Sequence, residues 1–346
     1  MAFLFSPTIL TSAPKSGDFA RIALSFEEGD FVSRTRVFCV VLSTIVWASG
    51  FLGAQNTSGR PPITGIAKVS VYASDLSQSQ HFYGAFLGFP LIGMDTHAAS
   101  QHYRVNSAQS IEIQSLPHGE TDNLAYIAFA TTDAKALRRY LLAKKVRMEG
   151  EVHTEADGAQ FFWVKDPEGH RIQFVQVPAH AHPLRMRDAK TSDQKVQSIS
   201  HHILHAGFIV HDRAAEDRFY HDVLGFRSAW YGGMTDNRTD FVDMQVPDGA
   251  DWLEYMLHST GTPTAAESGV LNHFALGVAN IHQAADTLRQ RGWQPSARSK
   301  AQIGRDGKWQ LNLYDPDGTR VELMEFLPVR TPCCSPYTLK APVPQP

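Results

Sequence analysis

The phrase "HFYGAFLGF" at residues 81–89 decides the fold, because it recurs as "RFYHDVLGF" at residues 218–226. A second phrase, "KDPEGHRIQF" at residues 165–174, recurs as "YDPDGTRVEL" at residues 314–323. The members of the two pairs lie 137 and 149 residues apart, in the same order along the chain. Matching phrases in matching order indicate a duplicated structural unit.

The duplication divides the chain into domains and connecting segments. We predict one domain at 62–178 and a second at 200–328, because each interval contains one copy of both phrases. The polar stretch at 179–199 between them is typical of a linker. The proline-rich stretch at 329–346 predicts a disordered tail.

Each domain is predicted to consist of two similar modules. In the second domain an apolar strand at 203–212 precedes a short helix that ends at Gly225, and three strand candidates follow at 227–258. The cycle restarts near residue 271 with a strand, a helix and two further strands. The pattern therefore predicts an α+β fold made of four tandem βαβββ modules.

Composition favours a globular protein with a small-molecule substrate. The 346 residues are 43% hydrophobic and 19% charged, and the formal net charge is −3. This charge gives no reason to expect nucleic acid or an anionic membrane as a partner. We expect the mature protein to be a monomer or homodimer without a membrane partner.

The N-terminal region resembles a secretory signal. Arg34 and Arg36 precede an apolar run from Val37 to Leu52, and small residues follow up to Ala54. The run is short for a transmembrane helix, which needs about 20 residues. We predict that residues 1–54 form an N-terminal extension and signal peptide and that the mature protein is periplasmic or extracellular; an uncleaved membrane anchor is the alternative.

The three cysteines predict no disulfide framework. Cys39 lies in the apolar run and would be removed with the signal peptide. Cys333 and Cys334 are adjacent, which is an unfavourable geometry for a mutual disulfide. The number and spacing also exclude a cysteine-based zinc site.

Four polar side chains that can bind a metal lie on apolar strands at corresponding places in the second domain: His205, Glu254, His273 and Glu322. Two carboxylates on one apolar surface oppose each other's ionisation, because burial and mutual repulsion both disfavour the charges. A divalent cation removes this conflict, and two imidazoles with two carboxylates suit Fe²⁺, Zn²⁺, Ni²⁺ or Mn²⁺. We therefore predict one bound divalent metal ion.

Four further residues are candidates for substrate contact. Arg320 shares a strand face with Glu322 and could bind an anionic substrate or pair with a carboxylate. His258 shares the face of Glu254 at the end of its strand, where the alternative is a solvated side chain. Trp252 and Trp309 could line an aromatic pocket or belong to the core.

Over residues 62–328 the chain resembles the vicinal oxygen chelate superfamily, which includes glyoxalase I, extradiol dioxygenases and bleomycin-resistance proteins. The resemblance rests on His205 seven residues before Asp212, on "FY-x-x-x-LGF" and on "DPDG-x-x-x-E" ending at Glu322. In this family, paired modules form open, curved mixed sheets around a metal. The ligands come from the first and last strands of each module, so the resemblance implies the same four ligands as above.

The first domain departs from that ligand set. Its corresponding positions hold Lys68, Glu112, Tyr126 and Gln173. Glu112 can pair with Lys68, which would give a neutral set that needs no cation. We expect the first domain to lack the metal set and to act as a scaffold, a lid or a second ligand pocket.

The resemblance leaves the reaction open, since the fold supports several. A glyoxalase-, lyase- or epimerase-like proton transfer would use all four ligands, with Glu322 as the catalytic base. This hypothesis is slightly favoured by the ligand count.

Two alternatives remain. Extradiol cleavage of a catechol would use iron held by His205, His273 and Glu322, and it agrees with a metal site confined to the C-terminal domain. Against it, Asn312 stands where the dioxygenase signature has a tyrosine. The second alternative is a non-catalytic small-molecule binding or resistance protein, although such members of the superfamily generally lack the metal set.

Overall fold

The computed structural model describes residues 59–95, 99–178, 196–258 and 261–342. The predicted signal peptide and most of the predicted linker lie outside these ranges. Within them, no helix is long and apolar enough to cross a membrane.

The first domain is one eight-stranded mixed sheet with strand order β2-β3-β4-β1-β5-β8-β7-β6. Its strands are β1 (Ile63–Ala73), β2 (Leu91–Asp95), β3 (Ser100–Arg104), β4 (Ser110–Ser115), β5 (Leu124–Thr131), β6 (Met148–Thr154), β7 (Gln160–Lys165) and β8 (Arg171–Gln176). Its helices are α1 (Leu76–Ser79), which continues as π-helical Gln80–Phe86, and α2 (Ala134–Ala143).

The second domain repeats this sheet with strand order β10-β11-β12-β9-β13-β16-β15-β14. Its strands are β9 (Ile203–Val210), β10 (Arg227–Gly232), β11 (Phe241–Gln245), β12 (Trp252–Leu257), β13 (His273–Val278), β14 (Gln302–Ile303), β15 (Trp309–Tyr314) and β16 (Arg320–Glu325). Its helices are α3 (Arg213–Asp217), which continues as π-helical Arg218–Val223, α4 (Ala265–Leu271) and α5 (Ile281–Gln290).

The predicted α+β fold of four βαβββ modules is confirmed. In each module the first and last strands pair in parallel, as β1 does with β4 and β9 with β12. The first strands of the two modules then pair antiparallel, as β9 does with β13. The four strands at the centre of each sheet are therefore the first and last strands of its two modules. The sequence pattern did not predict α4, which lies between the modules of the second domain.

The repeated "LGF" phrase ends each π-helical stretch. Gly88 and Gly225 have φ values of 83° and 80°, a left-handed conformation in which a side chain would be strained. The chain then reverses and buries Phe89 and Phe226 in the core. The phrase recurs because each domain needs the same turn between its first helix and the next strand.

The two repeated phrases also join the domains to each other. Tyr83 of the first "FY" donates a hydrogen bond to Asp315 of the second "DP" turn, with 2.9 Å between Oη and Oδ2. Tyr220 of the second "FY" likewise donates to Asp166 of the first turn, at 3.2 Å. Both tyrosines are fully buried. The domains are thus linked by two hydrogen bonds related by the internal duplication.

The strands β1 and β9 meet at the same interface through polar side chains. The amide of Gln109 accepts a hydrogen bond from Ile203 N–H (2.8 Å) and donates to the carbonyl of Ile66 (3.1 Å). Asp251 accepts from the backbone N–H of Ile66 at 2.7 Å. These bonds satisfy buried backbone groups that would otherwise be costly.

The tail prediction is wrong for residues 329–342. Thr338 N–H donates to the carbonyl of Ala229 (2.9 Å), and Tyr231 N–H donates to Ser335 Oγ (2.8 Å). Ala229 and Tyr231 belong to β10, which is an edge strand. The outer backbone groups of an edge strand do not pair with another strand of the sheet. The tail is ordered because it covers this edge.

The prediction that the adjacent cysteines do not pair is also wrong. Cys333 and Cys334 form a disulfide with their Cα atoms 3.8 Å apart. Cys334 has a left-handed backbone, with φ of 72°. The carbonyl of Cys333 accepts a hydrogen bond from Trp230 Nε1 at 3.0 Å, which fixes this turn beside β10.

We expect Tyr83→Phe and Tyr220→Phe each to lower the free energy of unfolding by about 1–3 kcal/mol, because each removes a buried hydrogen bond to a carboxylate. Urea unfolding followed by circular dichroism measures the change. Tyr231→Phe, at a 40% exposed residue, is the control and should leave the stability unchanged. Equal stabilities for all three variants would contradict a role for these bonds in joining the domains.

Candidate metal centre

Two rows of side chains cross the centre of the second sheet. The first row is Glu254, Gly207 and His273, which are register partners on β12, β9 and β13. The second row is Trp252, His205, Ala275 and Glu322, on β12, β9, β13 and β16. In each row a small residue, Gly207 or Ala275, separates two residues that can bind a metal. The small residues leave room for the four metal-competent side chains to approach one another.

The structure brings all four predicted ligands together. His205 Nε2 lies 3.1 Å from His273 Nε2 and 3.6 Å from both Glu254 Oε2 and Glu322 Oε2. His273 Nε2 lies 2.9 Å from Glu254 Oε2 and 4.0 Å from Glu322 Oε2. The two histidines and Glu322 are at most 2% exposed, whereas the side chain of Glu254 is 15% exposed.

Gly207 makes room for His273. A Cβ atom at residue 207 would overlap the imidazole of His273, which lies across the neighbouring strand. No side chain can occupy this position without displacing the ring. The glycine on the face of His205 is therefore part of the site.

The hydrogen bond of His273 determines its tautomer. Its Nδ1 lies 2.8 Å from the carbonyl oxygen of Leu271, and only an N–H can donate there. The proton is therefore on Nδ1, and the lone pair of Nε2 points into the site. Burial is the main cause that lowers the pKa of both His205 and His273, so both imidazoles are neutral, as metal ligands must be.

This donor set fits a divalent cation. The lone pairs of His273 Nε2 and Glu254 Oε2 face each other at 2.9 Å with no proton between them. Such an arrangement is repulsive unless a positive charge lies close to both atoms. The two imidazole nitrogens and two carboxylate oxygens are ligands that first-row divalent metals accept.

Glu322 has a raised pKa in the metal-free site. Burial, reinforced by the charge of Glu254, raises the pKa of Glu322 to about 7 even though Arg320 opposes the shift and Gln310 Nε2 donates a hydrogen bond at 2.6 Å. Glu322 is the carboxylate suited to exchange a proton near neutral pH.

A cavity of about 340 Å³ is lined by three of the four side chains, His205, Glu254 and Glu322, whereas His273 lies outside its lining. Aromatic and methionine side chains form one part of its wall, and polar or charged side chains form the larger part. The principal lining residues are Trp230, Phe241, Trp252, Met256, Asn312 and Arg320.

Two of the four predicted substrate-contact residues line this cavity and two do not. Trp252 and Arg320 line it. Trp309 packs against the core, the alternative left open by the sequence, because the alternation of β15 directs its ring to the opposite face, 4.6 Å from the ring of His282 on α5. His258 lies beyond the end of β12, beside the ring of His211 at 5.8 Å, and is not a lining residue.

Three residues in or beside the site were not predicted from the sequence. Gln310 contacts Glu322 directly, and the buried Asp243 is the register partner of Glu254. Lys308 is fully buried, with its Nζ 4.3 Å from the ring centre of Trp252 and 5.1 Å from that of Tyr337. Burial lowers the pKa of Lys308. Strand alternation from Asn312 could have identified Gln310, but the contact of Lys308 with the tail is tertiary.

The first domain has the same geometry with other side chains. Lys68 Nζ lies 3.3 Å from Glu112 Oε2, and Tyr126 donates its hydroxyl hydrogen to the same oxygen. Gln173 is buried in the register row of Lys68, separated from it by Ala128. The ammonium group of Lys68 supplies the positive charge that a metal would supply in the second domain, as expected from the sequence.

Comparison with known families places both domains in one superfamily. The sequence model described as Glyoxalase/Bleomycin resistance protein/Dioxygenase superfamily matches residues 65–174 and 202–323. No curated protein sequence matches the chain.

Solved structures share the fold. Homoprotocatechuate 2,3-dioxygenase from Arthrobacter globiformis is 21% identical with a TM-score of 0.56, covering 78% of this chain and 81% of that one. The 2,3-dioxygenase LapB from Pseudomonas sp. KL28 is 15% identical with a TM-score of 0.58, covering 79% and 97%. A Mn(II)-bound glyoxalase from Novosphingobium aromaticivorans is 18% identical with a TM-score of 0.57, covering 83% and 89%.

We expect Gly207→Ala to weaken metal binding by about tenfold or more, because the new methyl group displaces the imidazole of His273. Competition with a chelating dye for zinc measures the change. Ser70→Ala, at the corresponding position of the first sheet, is the control and should leave zinc affinity unchanged. Unchanged affinity in Gly207→Ala would show that His273 does not bind the metal.

The raised pKa of Glu322 also predicts a pH dependence of stability. Between the ordinary pKa of 4.5 and about 7, Glu322 holds a proton in the folded state but not in the unfolded state. The metal-free protein should therefore lose up to about 3 kcal/mol of stability from this group as pH rises through that range. Urea unfolding in the presence of a chelator tests this, and the difference from Glu322→Gln isolates the contribution. A pH-independent difference between the two proteins would contradict it.

Proposed function

Because the chain belongs to the Glyoxalase/Bleomycin resistance protein/Dioxygenase superfamily, we propose that it is a metal-dependent enzyme that transfers a proton on a small oxygen-bearing substrate. The reaction class would be that of a glyoxalase, lyase or epimerase. The position of Glu254 supports this reading best, since its Oε2 lies 2.9 and 3.6 Å from the two histidine Nε2 atoms. Four protein ligands leave two positions of an octahedral ion, which is enough for two neighbouring substrate oxygens and leaves none for dioxygen.

The side chains have distinct proposed roles. A bound divalent ion would polarise a chelated carbonyl group and so acidify the adjacent C–H. Glu322 is the proposed base that takes this proton, because its carboxylate is buried and lines the cavity beside the histidines that would hold the ion. Gln310 holds the other carboxylate oxygen of Glu322 by its 2.6 Å hydrogen bond and thereby orients the base. The ring of Trp252 and the other apolar walls would exclude water from the reacting atoms.

Extradiol ring cleavage is the second candidate. Ligand atoms of His205, His273 and Glu322 lie within 4.8 Å of one another, and all three residues are buried. This is a two-histidine, one-carboxylate set of the kind that non-haem iron oxygenases use. Against it, the cavity is lined by Asn312 where the dioxygenase signature has a tyrosine, and Glu254 adds a fourth ligand.

The cellular location and assembly are proposed from the sequence alone. We propose that the protein is exported after removal of residues 1–54 and acts as a monomer or homodimer. The metal would be Fe²⁺, Zn²⁺, Ni²⁺ or Mn²⁺. The first domain would serve as a scaffold, with Lys68 and Glu112 in place of the metal.

Metal analysis of anaerobically purified mature protein tests the centre. We expect one divalent ion per chain, and we expect His205→Ala and Glu322→Ala to lose it, because each removes a buried ligand. Gln173→Ala is the matched control in the first domain and should retain it. Metal retained by both ligand variants would contradict the proposal.

Glu254→Ala separates the two candidate reactions. If Glu254 is a ligand, this variant should lose most of its metal, and the unchanged protein should act on hemithioacetals without consuming oxygen. Oxygen uptake with catechols, together with full metal retention in Glu254→Ala, would instead establish ring cleavage.

A further inference from the structure

The guanidinium group of Arg320 lies at the edge of the metal centre, on the strand face of Glu322. Its Nη2 is 2.8 Å from His273 Nε2 and 4.0 Å from Glu254 Oε2. Its Nε is buried and has no hydrogen-bond partner among the described residues. The side chain is only 14% exposed, so solvent does not compensate this donor well.

The first domain shows how the fold satisfies an arginine at this position. Arg171 precedes Gln173 by two residues, as Arg320 precedes Glu322. Its guanidinium stacks on Trp163, 4.3 Å from the ring centre, and its Nε lies 3.4 Å from Glu149 Oε2. Arg171 therefore has an aromatic surface and a carboxylate of its own, and its side chain is 45% exposed.

The second domain lacks these partners for Arg320. The register partner of Glu322 is Asn312, whereas the register partner of Gln173 is Trp163, so an amide replaces the stacking ring. Asn312 Oδ1 is itself buried without a hydrogen-bond partner among the described residues. The neighbouring wall adds a third such atom, Trp252 Nε1. All three residues line the same cavity, and each has a buried polar atom without a hydrogen-bond partner among the described residues.

Charge balance gives the sign of the charge on a ligand in this cavity. Two ionised carboxylates, Glu254 and Glu322, would neutralise a divalent ion and leave the charge of Arg320 uncompensated. Metal coordination would also use the lone pairs of His273 and Glu254 that Arg320 contacts. Two other cations lie nearby, and each has its own carboxylate: Lys308 has Asp306 at 3.8 Å, and Arg305 forms an ion pair with Asp236. Burial raises the pKa of Asp243, which also lines the cavity, and so disfavours its negative charge. A largely buried cation without a partner is unfavourable, and an anion beside the centre would relieve it.

We propose that Arg320 is an anion subsite, so that the substrate carries a carboxylate a short distance from the oxygens that chelate the metal. This inference rests on the proposed metal-dependent function and specifies its substrate class. A guanidinium group binds a carboxylate through two parallel hydrogen bonds, and Nε with one Nη supplies that pair. A cavity of about 340 Å³ restricts the substrate to a small acid with an apolar portion against Trp252.

Two hydroxamates test the subsite without knowledge of the substrate. A hydroxamate chelates a metal through neighbouring oxygens, and succinic acid monohydroxamate carries a carboxylate at its other end. Its carboxamide analogue has the same shape without the charge. Calorimetric titration of the zinc-loaded protein should show about tenfold or more tighter binding of the acid than of the amide. Arg320→Gln should abolish this preference, measured as the ratio of the two affinities within the zinc-loaded variant.

Arg171→Gln is the matched control, because it removes the corresponding arginine of the first domain and should leave the preference intact. Equal affinity of the unchanged protein for acid and amide would overturn the anion subsite while leaving the metal centre standing. A preference that persists in folded, zinc-loaded Arg320→Gln would overturn the assignment to Arg320. If no zinc is retained and neither hydroxamate binds, the metal centre itself is overturned, and the subsite with it.

Discussion

The site in the second domain depends on the electrostatics of four clustered side chains whose unprotonated nitrogen and oxygen atoms face one another. The Nε2 lone pair of His273, fixed by its Nδ1–H bond to the carbonyl of Leu271, faces the carboxylate of Glu254 at 2.9 Å. His205 and Glu322 complete a cluster that burial would make unstable without a positive charge. A divalent ion would supply that charge, and this requirement connects the strand register, the small residues beside the four side chains and the proposed chemistry.

In the first domain, a side chain supplies the positive charge that the same backbone positions require. Lys68 brings its ammonium group to Glu112, and an amide at Gln173 removes the second charge, so the set is neutral. At the arginine two residues before Gln173 or Glu322, it is the first domain that supplies partners within the protein. Arg171 has its own partners in the first domain, whereas Arg320 in the second lacks equivalent ones and faces the cavity. In the first domain the protein compensates these charges with its own side chains. In the second domain we propose that a metal and an anionic ligand compensate them.

The site also depends on parts of the chain that are distant in sequence. The tail after β16 returns to the edge strand β10, and Tyr337 covers the buried Lys308 behind Trp252. The Cys333–Cys334 turn is fixed beside the same strand by the indole of Trp230, a cavity-lining residue. One wall of the cavity is therefore supported by a segment that composition alone marked as disordered.

The sequence by itself determined the duplication, the four modules and the two domains, because repeated phrases and strand alternation are local patterns that survive without tertiary information. It also identified the four side chains that converge, since each occupies the same place in its module. Only the tertiary structure showed that the tyrosine of each "FY" bonds the aspartate of the other domain, as Tyr83 does with Asp315. It alone placed Trp309 on the far face and ordered the tail, because edge-strand pairing and cavity walls are made by residues that are far apart in the chain.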